Sequence, residues 1–114
     1  MGVKVSTRQV GKVTVVDAPG RITGGEAAAS FREAIRAAAG SAQKKVLVNL
    51  AETSYMDSSG IGELVSGFTT LASQGGMLKL LKVTKRIQDL LQVTKLNSVF
   101  EVYDDEAKAL ASFQ

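Results

Sequence analysis

The chain has 114 residues, 45% of them hydrophobic, enough apolar surface for one core and for a single domain spanning residues 1–114. It contains no cysteine and no histidine, which excludes a disulfide framework, thiol chemistry and every Ser-His-Asp or Cys-His mechanism. The net charge of +3 comes from scattered lysines and arginines accompanied by only two Tyr and four Phe, unlike the concentrated basic and aromatic face that nucleic-acid binding needs.

At the start, Met1-Gly2-Val3-Lys4-Val5-Ser6 matches a brief acylation pattern, but it runs directly into an alternating strand and is set aside. Val3, Val5 and Thr7 alternate with Lys4, Ser6 and Arg8, and Val13-Thr14-Val15-Val16 follows Gly11-Lys12, which predicts two strands joined as a hairpin. Pro19-Gly20 breaks the run, and Thr23-Gly24-Gly25 supplies a turn and cap. Ala27, Ala28, Phe31, Ala34, Ile35 and Ala38 then recur at helical spacing up to Gly40. Val46-Leu47-Val48-Asn49-Leu50 is a continuous apolar stretch, the pattern of a central strand covered on both faces.

From Ser58, the positions Ile61, Leu64, Val65, Phe68, Leu71 and Ala72 predict one apolar face of a helix that ends at Gly75-Gly76. Met77 to Val83 reads as a strand, and Thr84 caps a helix that turns Ile87, Leu90 and Leu91 inward. Val99 to Tyr103 reads as a last strand, and Asp104-Asp105-Glu106 opens a terminal helix. The expected order is β-β-α-β-α-β-α-β-α, an α/β fold with a mixed β-sheet and helices packed against it. No apolar run approaches the roughly 18 residues that span a bilayer, so a cytoplasmic protein without membrane insertion is expected.

The tetrapeptide Asp57-Ser58-Ser59-Gly60 stands between the central strand and this amphipathic helix. At a helix N-terminus the first N–H groups lack intrahelical partners and the dipole favours negative charge, so a phosphate on Ser58 or Ser59 would be tolerated there. The competing reading is that Asp57, Ser58 or Ser59 serves as the helix cap. Gly60-Ile61-Gly62 resembles the start of a dinucleotide fingerprint, but its third glycine would fall on Val65 and no P-loop lysine follows. The two glycines read either as tight packing or as bare positions that let a partner approach. Asp57 and Glu63 are not backed by a second acidic cluster, so no metal and no cofactor is expected.

The stretch Val46 to Leu50 followed by Met56-Asp57-Ser58-Ser59-Gly60-Ile61-Gly62 resembles the signature of the STAS domain, and of bacterial anti-sigma factor antagonists in particular. The resemblance extends along the chain. Gly20 and Ile22 sit where the family has its G-x-[LI] turn, Gly75-Gly76 precede a strand as they do there, and Val83-Thr84 through Leu96 resembles its short third helix. Thr23 departs from the pattern, standing where many members carry Asp.

The resemblance implies an anti-sigma factor antagonist that regulates sigma-factor-dependent transcription by partner switching. Ser58 would be phosphorylated by an anti-sigma factor serine kinase and restored by a serine phosphatase, with Ser59 as the capping neighbour. Thr23, Asp57, Ser58, Ser59, Gly60, Ile61 and Gly62 would form the partner-binding set, and the chain would not itself be an enzyme. Two alternatives stand beside this: a STAS scaffold or sensor subunit of a signalling complex or transporter, and a nucleotide- or anion-binding module that uses the N–H groups at Ser58 to Gly60.

Overall fold

A computed structural model describes residues 4–113. Met1, Gly2 and Val3, and with them the head of the acylation pattern and the start of the expected first strand, lie outside the described residues. In chain order the elements are β1 (Ser6–Val10), β2 (Val13–Asp17), β3 (Gly20–Ile22), α1 (Glu26–Ala39), β4 (Lys45–Asn49), β5 (Thr53–Met56), α2 (Ser58–Ser73), β6 (Met77–Leu81), α3 (Lys85–Val93), β7 (Val102–Tyr103) and α4 (Glu106–Ala111).

Five strands form one sheet in the order β1-β2-β4-β6-β7, with β4 in the middle as its apolar run predicts. The β1–β2 hairpin is antiparallel, pairing Val10 with Val13, and the other neighbours are parallel, pairing Val16 with Val48 and Val48 with Leu80. The sheet is therefore mixed at one edge. Two strands absent from the expected order, β3 and β5, pair in parallel as a separate ribbon, with Arg21 opposite Tyr55 and Ile22 opposite Met56. Each is only three or four residues long. Two strand ends also differ from the expected ones. Lys82 takes a φ of 54° and turns the chain out of β6 before Val83, and the last strand begins at Val102, after a turn closed by Val99 N–H donating to Leu96 O at 3.0 Å.

Period-two alternation sorts the strand residues to opposite faces of the sheet. Val16, Val46, Val48, Leu78 and Leu80 face one side, where they meet Phe31 and Ile35 of α1, Leu64 and Leu71 of α2, and Ile87 and Leu91 of α3. Val13, Val15, Leu47 and Leu81 face the other side, against Ala109 of α4 and Phe113 just beyond it. Within α2, Gly67 is buried; a Cβ there would sit 2.5 Å from Ile35 Cγ2, so the bare position is what lets α1 and α2 approach. Ala72, expected on the apolar face, is exposed, and Phe68 is half-buried with its ring edge-to-face on Phe100 at 5.4 Å.

The α4 side is tied by polar contacts. Lys79, 5% exposed, donates to the carbonyl and the hydroxyl of Ser112 at 3.0 Å each, and its ammonium lies 4.8 Å from the centre of the Phe113 ring. Arg8 on β1 bridges Asp17 on β2 and Glu106 at the start of α4, each at 2.7 Å, while Asn49 on β4 donates to Asp17 at 2.8 Å.

Candidate functional site

The short ribbon β3–β5 brings two loops side by side at the start of α2. Ile22 ends β3 and Met56 ends β5; both are buried and both hold their strands down on the core. The next residues, Thr23-Gly24 and Asp57-Ser58, therefore leave the ribbon together. Asp57 N–H donates to Ile22 O at 3.3 Å, and the Thr23 carbonyl accepts from Ala28 N–H at 3.0 Å, helping to start α1.

Asp57 is the N-cap of α2. Its Oδ1 accepts from the backbone N–H of Ser59 at 2.9 Å and of Gly60 at 3.3 Å, and its Oδ2 accepts from Gly24 N–H at 3.1 Å. One carboxylate thus satisfies two of the orphan donors of the helix and pins the neighbouring loop to them. The choice among the three possible caps falls on Asp57. Ser59 is not the capping neighbour, because its N–H is the group being capped. Among the described residues no hydrogen bond engages the Ser58 hydroxyl, and Ser58 is exposed as the first residue of the helix.

Helical geometry divides the remaining residues of the expected set. Ser59 and Gly62 are exposed, and a Cβ on Gly62 would meet nothing within 4 Å. Gly60 and Ile61 differ from these in being buried, so neither presents a side chain at this surface. A Cβ on Gly60 would fall 2.5 Å from Met56 Cγ and 2.8 Å from Ile22 O, so this glycine exists for close packing of the helix onto the ribbon. Ile61, 5% exposed, points into the core. The surface that remains is Thr23, Asp57, Ser58, Ser59 and Gly62, with Thr23 and Asp57 half-buried at its base. Gly24, whose N–H completes the Asp57 clamp, shows in the sequence only as part of a turn, because a glycine opposite an Asx cap carries no periodic signal.

Chemically the site presents a free hydroxyl at the positive end of a helix dipole, beside a carboxylate whose oxygens are already occupied. The N–H groups of Ser59 and Gly60, which a bound anion would need, are taken by Asp57. Among the described residues no cluster of three acidic side chains is arranged to hold a metal ion, and no helix is long and apolar enough to cross a membrane.

The family model for the STAS domain matches residues 4–109. The Anti-sigma-B factor antagonist of Bacillus subtilis (strain 168) is 38% identical over 53 residues, which cover 46% of this chain and 49% of that protein. Matches to the first curated relatives span 62%, 49% and 59% of their lengths, so the chain spans about half to three fifths of each. Among solved structures, an anti-sigma-factor antagonist (STAS) domain protein from Planctomyces limnophilus superposes with a TM-score of 0.81 at 27% identity, covering 96% of this chain and 97% of that one. The Bacillus cell fate determinant SpoIIAA in its phosphorylated form superposes with a TM-score of 0.77 at 20% identity, covering 97% and 100%. A five-stranded mixed sheet with its capped α2, matched over nearly its whole length by one family model, places the grouping beyond fold alone: the chain belongs to the STAS domain family.

Proposed function

We propose that this chain is an anti-sigma factor antagonist of the bacterial cytoplasm, a single STAS domain switched by phosphorylation of Ser58. The observation that carries the reading is the division of labour at the start of α2. Asp57 caps the helix with Oδ1 and holds the Gly24 loop with Oδ2, which leaves the neighbouring Ser58 hydroxyl exposed and unbonded among the described residues. A serine needed as a cap would be a poor switch, because modifying it would cost the helix about 0.5–2 kcal/mol. Relatives named as anti-sigma factor antagonists, and the existence of SpoIIAA in a phosphorylated form, support the same reading.

In this mechanism the unphosphorylated protein binds a serine-kinase anti-sigma factor through Thr23, Asp57, Ser58, Ser59 and Gly62, and the sigma factor is released. Gly60 and Ile61 act from beneath by holding that surface in place. Within the complex the Ser58 Oγ attacks the γ-phosphorus of ATP supplied by the kinase. The Oγ–P bond forms, the bond to ADP breaks, and the hydroxyl proton passes to a base of the kinase. The chain contributes the hydroxyl and no catalytic group, so it is a substrate and not an enzyme. The phosphoryl group adds about −1.5 to −2 charges beside Asp57, and burying that against a partner is unfavourable. A loss of about 4 kcal/mol weakens binding roughly a thousandfold. Hydrolysis of phosphorylated Ser58 by a serine phosphatase restores the binding form. The anion-binding alternative is disfavoured by the occupied N–H groups of Ser59 and Gly60.

Incubation with ATP and the kinase-type anti-sigma factor of the source organism should add one phosphoryl group, which peptide mass spectrometry should locate on Ser58 and not on Ser59. Ser58→Ala should bind the kinase and remain bound in ATP, while Ser58→Asp should bind poorly. Equal binding by these two variants would overturn the electrostatic switch.

A further inference from the structure

Arg21 on β3, Tyr55 on β5 and Arg86 on α3 converge on one patch of surface. The Arg21 guanidinium lies 5.0 Å and the Arg86 guanidinium 5.7 Å from the centre of the Tyr55 ring. Both arginines are exposed, and among the described residues neither forms an ion pair; the recorded ion pairs involve Arg8, Arg32, Lys79 and Lys85. Two like charges gathered on one ring repel each other, and the intramolecular carboxylate that would ordinarily settle them is missing. A guanidinium held near an aromatic ring by cation–π attraction keeps N–H donors that can take a carboxylate with two parallel hydrogen bonds. Tyr55, on β5, precedes the N-cap Asp57 by two residues and Ser58, the first residue of α2, by three, so the patch borders the switch surface.

We infer that the Arg21–Tyr55–Arg86 patch docks a carboxylate-rich segment of the protein partner that covers the start of α2; this rests on the partner-binding reading above. Charge complementarity selects the occupant. Two unpaired guanidiniums beside a half-buried aromatic ring fit Asp and Glu side chains, and such a contact confers orientation and association rate as well as affinity. It also gives the partner a second point of attachment that Ser58 phosphorylation does not touch.

The direct probe is a fluorescently labelled oligoglutamate peptide of about six residues, followed by anisotropy against the intact protein. Saturable binding is expected at about 0.05 M salt, weakening by about fivefold or more at roughly 0.3 M salt as screening shortens the reach of the charges. The double variant Arg21→Gln/Arg86→Gln should weaken it by about fivefold or more, the scale of two exposed ion pairs. Lys12→Gln, which removes an exposed positive charge in the β1–β2 turn, should leave it unchanged. Absence of saturable binding to the wild-type protein, or equal binding by the double variant, would overturn the docking site. Titration of the same double variant with the kinase-type anti-sigma factor should show a weaker complex with a shallower salt dependence. A kinase that ignores the wild-type protein would sink the antagonist reading while the peptide result stood, so the two failures are separate.

Discussion

On one face of the five-stranded sheet three helices, α1, α2 and α3, bury Phe31, Ile35, Leu64, Leu71, Ile87 and Leu91 against the strands, while on the other the six-residue α4 and Phe113, with Val10 and Tyr103 at the margin, cover Val13, Val15, Leu47 and Leu81. The first face is held by apolar volume. The second has little volume to offer and compensates with polar clips, Lys79 onto Ser112 and Arg8 across Asp17 and Glu106. The candidate switch is built on the first, with Gly60, Ile61 and Met56 seated in its core. Under the switch proposed above, the contrast teaches that the modified surface rests on the most heavily packed part of the fold, so that a change of charge at Ser58 should alter binding before it alters folding.

The largest test of that contrast removes one anchor from each face. Phe31→Ala should cost about 3–5 kcal/mol, because the ring is fully buried among three helices and strands. Lys79→Ala, which leaves the Ser112 carbonyl without its buried donor, should cost about 1–3 kcal/mol. Denaturant midpoints at constant slope would measure both, and equal losses would erase the distinction between the faces.

A smaller effect isolates the clips. Partial burial by itself would raise the Asp17 pKa, but hydrogen bonds from Arg8 and Asn49 outweigh it and the carboxyl sits below its ordinary 3.8. The hydrogen bond from Arg8 likewise holds Glu106 below its ordinary 4.5. Depressed folded values mean that this stabilisation is complete above those ordinary values and is lost as pH falls through the lower values of the folded protein. Arg8→Met should therefore cost about 1 kcal/mol or less at neutral pH and flatten the acid limb of the stability curve. A pH profile that falls in parallel with the wild type below pH of about 4 would show that the clip contributes nothing.

The smallest stability effect sharpens the comparison within α2 itself. Gly62→Arg has open space for its side chain and should leave stability unchanged or raise it by up to about 1 kcal/mol through helix propensity, while weakening partner binding. Gly60→Ala, two residues earlier, forces a Cβ against Ile22 O and should destabilise by about 1–3 kcal/mol. Thermal unfolding alongside partner titration distinguishes them, and a Gly62→Arg protein that unfolds would return that glycine to a packing role.

Much of this architecture was legible because periodicity and caps agreed. The alternation of β2, the continuous run of β4, the bounds of α2, and the Thr84 and Asp105 caps of α3 and α4 all follow local rules. The ribbon β3–β5 was not legible, since Gly20–Ile22 and Thr53–Met56 are too short to show a period and pair only with each other. The start of α2 was found by its residue types, but which of them face inward was not. Gly60 looks the same in sequence whether it admits a partner or its own ribbon, and only the approach of Ile22 and Met56 decides. The meeting of Arg21 and Arg86 on Tyr55 links three elements and leaves no trace in sequence spacing.

The pair between Arg8 and Glu106 spans 98 positions of the chain. During synthesis, β1, β2, β4 and β6 are all made before Glu106 exists, so Val13, Val15, Leu47 and Leu81 can gain the cover of α4 and Phe113 only after residues 106–113 have left the ribosome. At about 5–20 residues per second that last stretch takes on the order of a second to synthesise, and until it docks this face stays open to aggregation or to a chaperone.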